Sequence, residues 1–332
     1  MGNCYKILSI DGGGIKGLYS AVILEKFEKK FGPVHEHFNL ICGTSTGGII
    51  ALALAAGIPA SEVVRFYKDD GPVIFPYKKK WMRSLQWLKQ ISILSKYSDK
   101  KLKAALQRVF LEKRVGDCKT TVLIPSVNIT TGAPYVFKSD HQADLTRDDK
   151  RLLTEIALAT SAAPTYFPIV ELETQQGTEQ FVDGGLWANN PALLGIQEFL
   201  KYYKDKEYCD YCLVSVSSLH EHVKYPEPEK VKKRKSFISW GDKLISMMMD
   251  TQSRSVDNHI KFLQAYVGGV YVRIPSAVLT DQEKKYIHLD LASTRSIQIM
   301  IEKGIQESEF WFHKEEVQSM FKNQSREEKA CV

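Results

Sequence analysis

The stretch from Phe38 to Gly57, FNLICGTSTGGIIALALAAG, constrains the fold most, because it combines a strand, a sharp turn and a helix within twenty residues. The short apolar run that ends at Gly43 is typical of an interior strand of a parallel sheet. The segment from Ile49 to Ala56 is apolar on every side, and a helix of that kind is buried all round. The sequence therefore predicts an α/β core built around this strand, turn and helix.

The turn itself is the pentapeptide Gly43-Thr-Ser-Thr-Gly47. Glycines placed two before and two after a serine leave room for a strained backbone that lifts the hydroxyl out of the sheet, at the positive end of the following helix. Five-residue patterns recur by chance, but the strand and the helix that this motif requires are both present here. We therefore predict a nucleophile elbow with Ser45 as the nucleophile, rather than a small turn residue.

A second glycine segment, Asp11-Gly-Gly-Gly-Ile-Lys-Gly17, follows the first predicted strand and precedes an amphipathic helix. It also fits the G-x-G-x-x-G fingerprint of dinucleotide-binding proteins. That fingerprint expects an acidic residue at the end of the second strand to hold a ribose hydroxyl, but the second strand here ends in Cys42-Gly43. The missing acid disfavours a nicotinamide oxidoreductase. We instead expect backbone amides to converge on a developing oxyanion beside the serine, and the candidate donors are Gly12, Gly13 and Gly14.

A serine hydroxyl becomes a useful nucleophile only when a neighbouring base accepts its proton. Asp183 is the preferred base, because it ends a predicted strand and two glycines follow it, so its carboxylate can face a neighbouring serine. An aspartate is ionised at neutral pH, and apolar neighbours raise its basicity. The motif alone leaves open that Asp183 only satisfies the amides of its turn. Asp11 is expected to brace the glycine loop, and three late histidines remain as alternative bases: His259, His288 and His313.

Composition and cysteine usage limit the class of protein. The 332 residues carry a formal net charge of +6, with 44% hydrophobic and 25% charged residues, which is ordinary for a globular protein. No segment approaches the ~20 apolar residues of a membrane span, and no signal-peptide pattern is present, so an intracellular protein is expected. Six cysteines in a chain of this length do not suggest a disulfide framework, and the pair Cys209 and Cys212 is interpreted as incidental. No metal and no cofactor are predicted.

The remaining elements indicate a single domain over residues 1–332, without repeats or linkers. The strand at 121–128 contains Pro125, which predicts an edge strand or a bulge. The charged tail at 322–332 is expected to fray.

A basic, aromatic insertion at 71–98 contains six lysines and arginines and no acid. Such a segment with tryptophans is typical of contact with an anionic bilayer surface, and a lid packed on the core is the alternative. The basic run at 230–235 is interpreted as a solvated loop, with headgroup or nucleotide contact as its alternative. A nucleic-acid duplex is not expected as a partner, because no recognised nucleic-acid motif accompanies the charge.

Four motifs, in this order and spacing, resemble those of the patatin-like phospholipases: Asp11-Gly-Gly-Gly-Ile-Lys-Gly17, Gly43-Thr-Ser-Thr-Gly-Gly48, Ser161-Ala-Ala-Pro164 and Asp183-Gly-Gly185. The similarity covers nearly the whole chain. It implies a three-layer α/β/α fold with a central, mostly parallel sheet, and a dyad of Ser45 and Asp183. It also implies oxyanion donors among the three loop glycines and hydrolysis of the acyl esters of membrane phospholipids without a metal.

The compact length, the few cysteines and the basic stretches are also similar to patatin-like effectors of bacterial anti-phage systems, which cyclic oligonucleotides activate and which degrade the cell's own membrane. This resemblance implies a cyclic di- or oligonucleotide activator and a cytoplasmic enzyme that contacts the inner face of the membrane when active. The alternative is a nucleotide-gated or lipid-binding sensor with little hydrolysis of its own, which the intact Ser45 and Asp183 disfavour. The sequence leaves the oligomeric state open, a homo-oligomer included.

Overall fold

Helices lie on both faces of a mixed sheet of eight strands in the described part of the chain. The structure, a computed structural model, describes residues 4–76, 95–143, 145–206, 208–220 and 242–321. The strands are β1 (Cys4–Ile10), β2 (Leu40–Gly43), β3 (Thr121–Asn128), β4 (Ala133–Lys138), β5 (Val170–Thr174), β6 (Gly177–Asp183), β7 (Asp210–Val216) and β8 (Val270–Ile274). Most of the basic insertion at 71–98, the run at 230–235 and the tail at 322–332 lie outside the described residues.

The α-helices surround this sheet, and several short 3-10 turns join them to the strands. Their bounds are α1 (Gly17–Phe31), α2 (Thr46–Ala55), α3 (Ala60–Asp69), α4 (Gly71–Ile74), α5 (Asp99–Phe110), α6 (Leu153–Ser161), α7 (Gly185–Ala188), α8 (Ala192–Tyr202), α9 (Asp242–Val267), α10 (Thr294–Trp311) and α11 (Glu315–Met320). No helix within the described ranges is both long enough and apolar enough to cross a bilayer.

The side chains of the central strand alternate between two apolar clusters, one on each face of the sheet. In β1, Leu8 and Ile10 belong to the cluster that contains α1 and α2, whereas Tyr5 and Ile7 belong to the cluster that contains residues of α8 and α9. Because successive side chains of a strand point to opposite faces, both faces of β1 are buried under helices. This confirms the predicted three-layer α/β/α arrangement.

The sheet is mostly parallel, with an antiparallel part at one side. Its order is β5-β6-β3-β2-β1-β7-β8, and β4 also pairs with β3. The strands β3, β2, β1, β7 and β8 run parallel, while β4 and β6 pair antiparallel with β3. The carboxyl ends of β1, β2 and β7 therefore meet at one edge, where open α/β sheets bind their ligands.

The prediction that Pro125 marks an edge strand or a bulge was wrong, because β3 lies inside the sheet and its register with β4 is unbroken from Leu123 to Asn128. On one side β3 pairs with β4, and on the other it pairs first with β2, through Leu123, and then with β6, from Ser126 onward. Pro125 falls in the gap between these two partners. A residue without an N–H is tolerated there, because no ladder bond is required of it on that side.

The interpretation of Cys209 and Cys212 as incidental thiols was also wrong, since Cys4 and Cys212 form a disulfide and Cys209 is disulfide-bonded as well. In the parallel pair of β1 and β7, Cys4 lies opposite Asp210, two residues before Cys212. The two Cα atoms are 6.0 Å apart although 208 positions separate them in the sequence. Only the strand pairing brings these cysteines together, so their sequence spacing gave no signal.

Candidate active site

Two strand ends meet on the same side of β3, and each carries one predicted catalytic residue. The strand β2 runs along β3 until Cys42 lies opposite Leu123, whereas β6 runs in the opposite direction until Asp183 lies opposite Ser126. The carboxyl ends of β2 and β6 therefore face each other across the gap at Pro125. This arrangement brings together the turn after β2 and the end of β6.

Ser45 occupies the sharp turn between β2 and α2 that the pentapeptide predicted. Its backbone has φ 55° and ψ −126°, a strained conformation for a residue with a side chain. The flanking glycines are required by close approach: a Cβ at Gly43 would lie 2.2 Å from the carbonyl oxygen of Gly47, and a Cβ at Gly47 would lie 2.4 Å from that of Ile10. The turn therefore fits only if both positions lack a side chain.

The side chains of Ser45 and Asp183 are in direct contact. The Ser45 Oγ donates a hydrogen bond of 2.7 Å to Asp183 Oδ2, and the Gly185 N–H donates one of 2.7 Å to Asp183 Oδ1. Burial raises the pKa of Asp183 to about 6, although both hydrogen bonds lower it. A carboxylate whose pKa lies that close to neutrality can accept a proton from the serine and return it later.

The glycine loop lies beside the serine, and its three amides are used differently. The Gly12 N–H donates to the carbonyl oxygen of Asn189 at 3.0 Å, and the Gly12 carbonyl accepts the Ser218 hydroxyl at 2.8 Å. Gly12 is thus engaged in holding the loop in this conformation. The described residues contain no acceptor for the N–H groups of Gly13 and Gly14. The prediction that loop amides donate to an oxyanion is therefore kept for these two glycines.

Asp11 directly precedes this loop, and its side chain anchors the start of the loop, which is the role that the sequence predicted. Its carboxylate, which is fully buried, forms a two-pronged ion pair with Arg273 on β8, in which Nη1 lies 2.8 Å from Oδ1. The same Nη1 donates to Ser215 Oγ at 2.6 Å. The sequence did not indicate Arg273 as part of the site. It lies 262 positions after Asp11, and no sequence pattern connects it with the glycine loop.

An apolar cavity opens beside the serine. Its described lining includes no histidine, and its walls come from α2 to α6, α9 and the glycine loop: Gly14, Ile15, Ser45, Thr46, Ile49, Phe66, Tyr67, Gly71, Ile74, Phe75, Leu102, Ser161, Ala163, Tyr166, Phe167, Asp183, Ile245, Met249 and Leu289. Its volume of about 50 Å³ is below the roughly 150 Å³ that holds a benzene-sized molecule.

The described lining of the cavity beside Ser45 includes none of the three alternative bases, His259, His288 and His313. His259 is exposed on α9, and its Nδ1 lies 2.6 Å from the carbonyl oxygen of Ser255 on the same helix. His313 is exposed as well. Within the described ranges, no group of three or more histidine, cysteine, aspartate or glutamate side chains is placed to hold a metal ion. Among the described residues, the side chain that bonds to the Ser45 hydroxyl is the carboxylate of Asp183.

Comparisons with known proteins show which family this chain is similar to. The family model described as patatin-like phospholipase matches residues 8–196. A cGAMP-activated phospholipase of Pseudomonas aeruginosa is 32% identical over 302 residues, which cover 90% of this chain and 86% of that protein. A protein of the same name from Vibrio cholerae is 32% identical over 92% of this chain and 90% of its own length. Patatin-like protein 2 of rice is 34% identical over 62% of this chain and 56% of that protein.

Proposed function

This chain belongs to the patatin-like phospholipase family, and on that premise we propose that Ser45 and Asp183 form its catalytic dyad and hydrolyse the acyl esters of membrane phospholipids. One observation carries the proposal: the 2.7 Å hydrogen bond from Ser45 Oγ to a buried carboxylate. The apolar cavity beside the serine suits an acyl chain, because its lining offers few hydrogen-bonding groups.

The reaction has two halves, and the same carboxylate serves both. In the first, Asp183 Oδ2 takes the proton of Ser45 while Oγ attacks the ester carbonyl carbon. The N–H groups of Gly13 and Gly14 hold the resulting oxyanion. The bond to the lysophospholipid then breaks, and the leaving oxygen takes the proton from Asp183.

In the second half, a water molecule gives a proton to Asp183 and its oxygen attacks the acyl carbon. The bond to Ser45 Oγ breaks, the proton returns to Oγ, and the fatty acid leaves. A pKa of about 6 for Asp183 suits this cycle, because the group must be ionised at rest and yet protonate readily during each attack.

We also propose that a cyclic dinucleotide activates this enzyme in a bacterial antiviral defence. Two relatives that align with most of this chain are named cGAMP-activated phospholipases. The enzyme is proposed to act in the cytoplasm and to contact the inner face of the membrane only peripherally when active.

The test measures fatty-acid release from vesicles of phosphatidylglycerol and phosphatidylethanolamine, with and without cGAMP. We expect Ser45→Ala and Asp183→Asn to lose roughly 1,000-fold or more in rate. Matched controls at exposed positions, Ser255→Ala and Asp281→Asn, retain the wild-type rate.

Three outcomes would overturn parts of the proposal. An active Asp183→Asn variant would remove the dyad and return attention to the histidines. Release of fatty acid by wild type and Ser45→Ala at the same low rate would favour a sensor without hydrolysis of its own. Full activity without cGAMP, unchanged when cGAMP is added, would refute the activation step.

A further inference from the structure

Thr160, in the last turn of α6, touches both strand ends that form the candidate site. Its side chain is fully buried. The Oγ1 atom accepts the backbone N–H of Ser45 at 3.0 Å and donates its own proton to the carbonyl oxygen of Pro125 at 2.6 Å. One hydroxyl therefore links the backbone of Ser45, the proposed nucleophile, to β3, the strand with which both β2 and β6 pair.

The backbone around Thr160 also forms hydrogen bonds with Asp183 and Gly184, at the end of β6. The Gly184 N–H donates to the Thr160 carbonyl at 3.3 Å, and the Asp183 N–H donates to the Ala162 carbonyl at 3.0 Å. The end of β6 is thus bonded to the same turn of α6 whose hydroxyl holds Ser45. Residues 160 to 162, at the end of α6, therefore bond both to Ser45 and to the end of β6.

The gap in the sheet explains why a side chain is needed there. Between Leu123, where the pairing with β2 ends, and Ser126, where the pairing with β6 ends, no strand pairs with β3 on that side. The hydroxyl of Thr160 occupies this gap and replaces the missing ladder bonds, because it both accepts and donates a proton. Its methyl group packs toward Gly48, where a Cβ would lie 2.9 Å from Thr160 Cγ2.

Ser45 depends on this support because its backbone is strained, with φ 55°. A strained conformation persists only when its surroundings hold it in place. The hydrogen bond to the Ser45 N–H is one such restraint, and it acts on the residue whose Oγ must stay in reach of Asp183.

We propose that Thr160 is a positioning residue, whose hydroxyl holds the Ser45 backbone at the separation from Asp183 that proton transfer requires. The inference rests on the proposed roles of Ser45 and Asp183. The proposed role does not require Thr160 to contact the substrate. Loss of the hydroxyl therefore lowers the rate of the chemical step and leaves substrate affinity largely unchanged.

The test compares Thr160→Val, which keeps the shape and removes the hydroxyl, with Thr160→Ser, which keeps the hydroxyl. The control is Thr154→Val on the same helix, because the Thr154 hydroxyl is buried and has no hydrogen-bond partner among the described residues. Each protein is assayed with cGAMP present, on a p-nitrophenyl ester for kcat and KM, and by the rate at which a fluorophosphonate labels Ser45. Urea unfolding gives the stability of each variant.

We expect Thr160→Val to lower kcat and the labelling rate by about 100-fold, with KM within about threefold of wild type. Thr160→Ser and Thr154→Val are expected to stay within about threefold of wild type in both measurements. If Thr160→Val does not fold, Thr160→Ala replaces it, and its comparison with Thr160→Ser isolates the hydroxyl in the same way.

Two results would overturn the inference: a Thr160→Val enzyme with wild-type kcat and labelling rate, or equal losses in Thr160→Ser and Thr160→Val. Failure of the proposed function appears separately, as an inactive wild type or an active Ser45→Ala. Fluorophosphonate labelling reports the reactivity of Ser45 whatever the natural ester is, so it tests Thr160 even if the lipid assignment fails.

Discussion

Ser45 and Asp183 lie 138 positions apart in the sequence, and a 2.7 Å hydrogen bond joins them. They meet because β2 and β6 pair with the same side of β3 and their carboxyl ends face each other. Ser45 lies in the turn that follows β2, and Asp183 is the last residue of β6. The geometry of the pair therefore depends on how these two strands pair with β3. Five predictions follow from this arrangement and from the contacts around it.

The rate of ester hydrolysis is expected to rise with pH around a midpoint of about 6. Burial raises the pKa of Asp183 to that value, and only the ionised carboxylate can accept the Ser45 proton. The measurement is kcat/KM on a soluble ester from about pH 5 to about pH 8, because this quantity reports the free enzyme. A profile that is flat over this range would show that Asp183 is not the titrating base.

Asp183→Asn is expected to be more stable than wild type at neutral pH. The raised pKa of Asp183 means that the folded protein binds more protons than the unfolded chain between about pH 4 and about pH 6, so wild-type stability falls as pH rises through this window. The asparagine has no charge to desolvate and can still bond Ser45 and Gly185. The gain is at most about 3 kcal/mol, measured by urea unfolding. A gain already complete at about pH 4 would contradict this cause.

Gly47→Ala is expected to abolish activity and to lower the free energy of unfolding by about 3 kcal/mol. The added Cβ would lie 2.4 Å from the carbonyl oxygen of Ile10 and 2.6 Å from that of Asp11, which are rigid backbone atoms. The control is Gly132→Ala, where φ is +68° but no atom lies within 4 Å. That variant should lose only about 1 kcal/mol and keep its activity. Equal effects at both positions would refute the steric explanation.

Arg273→Met is expected to destabilise the protein by about 3 to 5 kcal/mol, because it leaves the buried carboxylate of Asp11 without its partner. Adding Asp11→Asn should restore much of that loss. Urea unfolding of wild type, both single variants and the double variant gives the coupling between the two side chains. Strictly additive losses would mean that the pair does not act as a unit.

Leu102→Ala is expected to shift the preference toward longer acyl chains, because Leu102 forms part of the cavity wall beside Ser45. The ratio of rates on long-chain and short-chain p-nitrophenyl esters should rise by about tenfold. Leu106→Ala is the matched control, since Leu106 is buried on the same helix and lies outside the cavity lining. Both variants lose stability through the removed side chain. A shift of the same size in Leu106→Ala would show that the cavity wall does not set the preference.

The sequence by itself determined the elements whose signals are local. The pentapeptide around Ser45 needs glycines at fixed offsets, the run from Ile49 to Ala56 can only be buried, and Asp183 is marked by the two glycines that follow it. These patterns predicted the elbow and both members of the pair, because strand, turn and helix propensities act over a few residues. The three layers were implied by the resemblance to the patatin-like phospholipases. The contact between Ser45 and Asp183, in contrast, was an expectation until strand pairing was known.

Only the tertiary structure decided which distant groups meet. The gap at Pro125, the Thr160 hydroxyl that fills it, the Arg273 beneath Asp11 and the disulfide of Cys4 with Cys212 all depend on strand order and register. The prediction for Pro125 was wrong for the same reason. A proline indicates that one ladder hydrogen bond is missing, but it does not show whether the strand lies at an edge or beside a gap inside the sheet. Pairing partners are set by the burial of whole faces across the chain, and no short stretch of sequence contains that information.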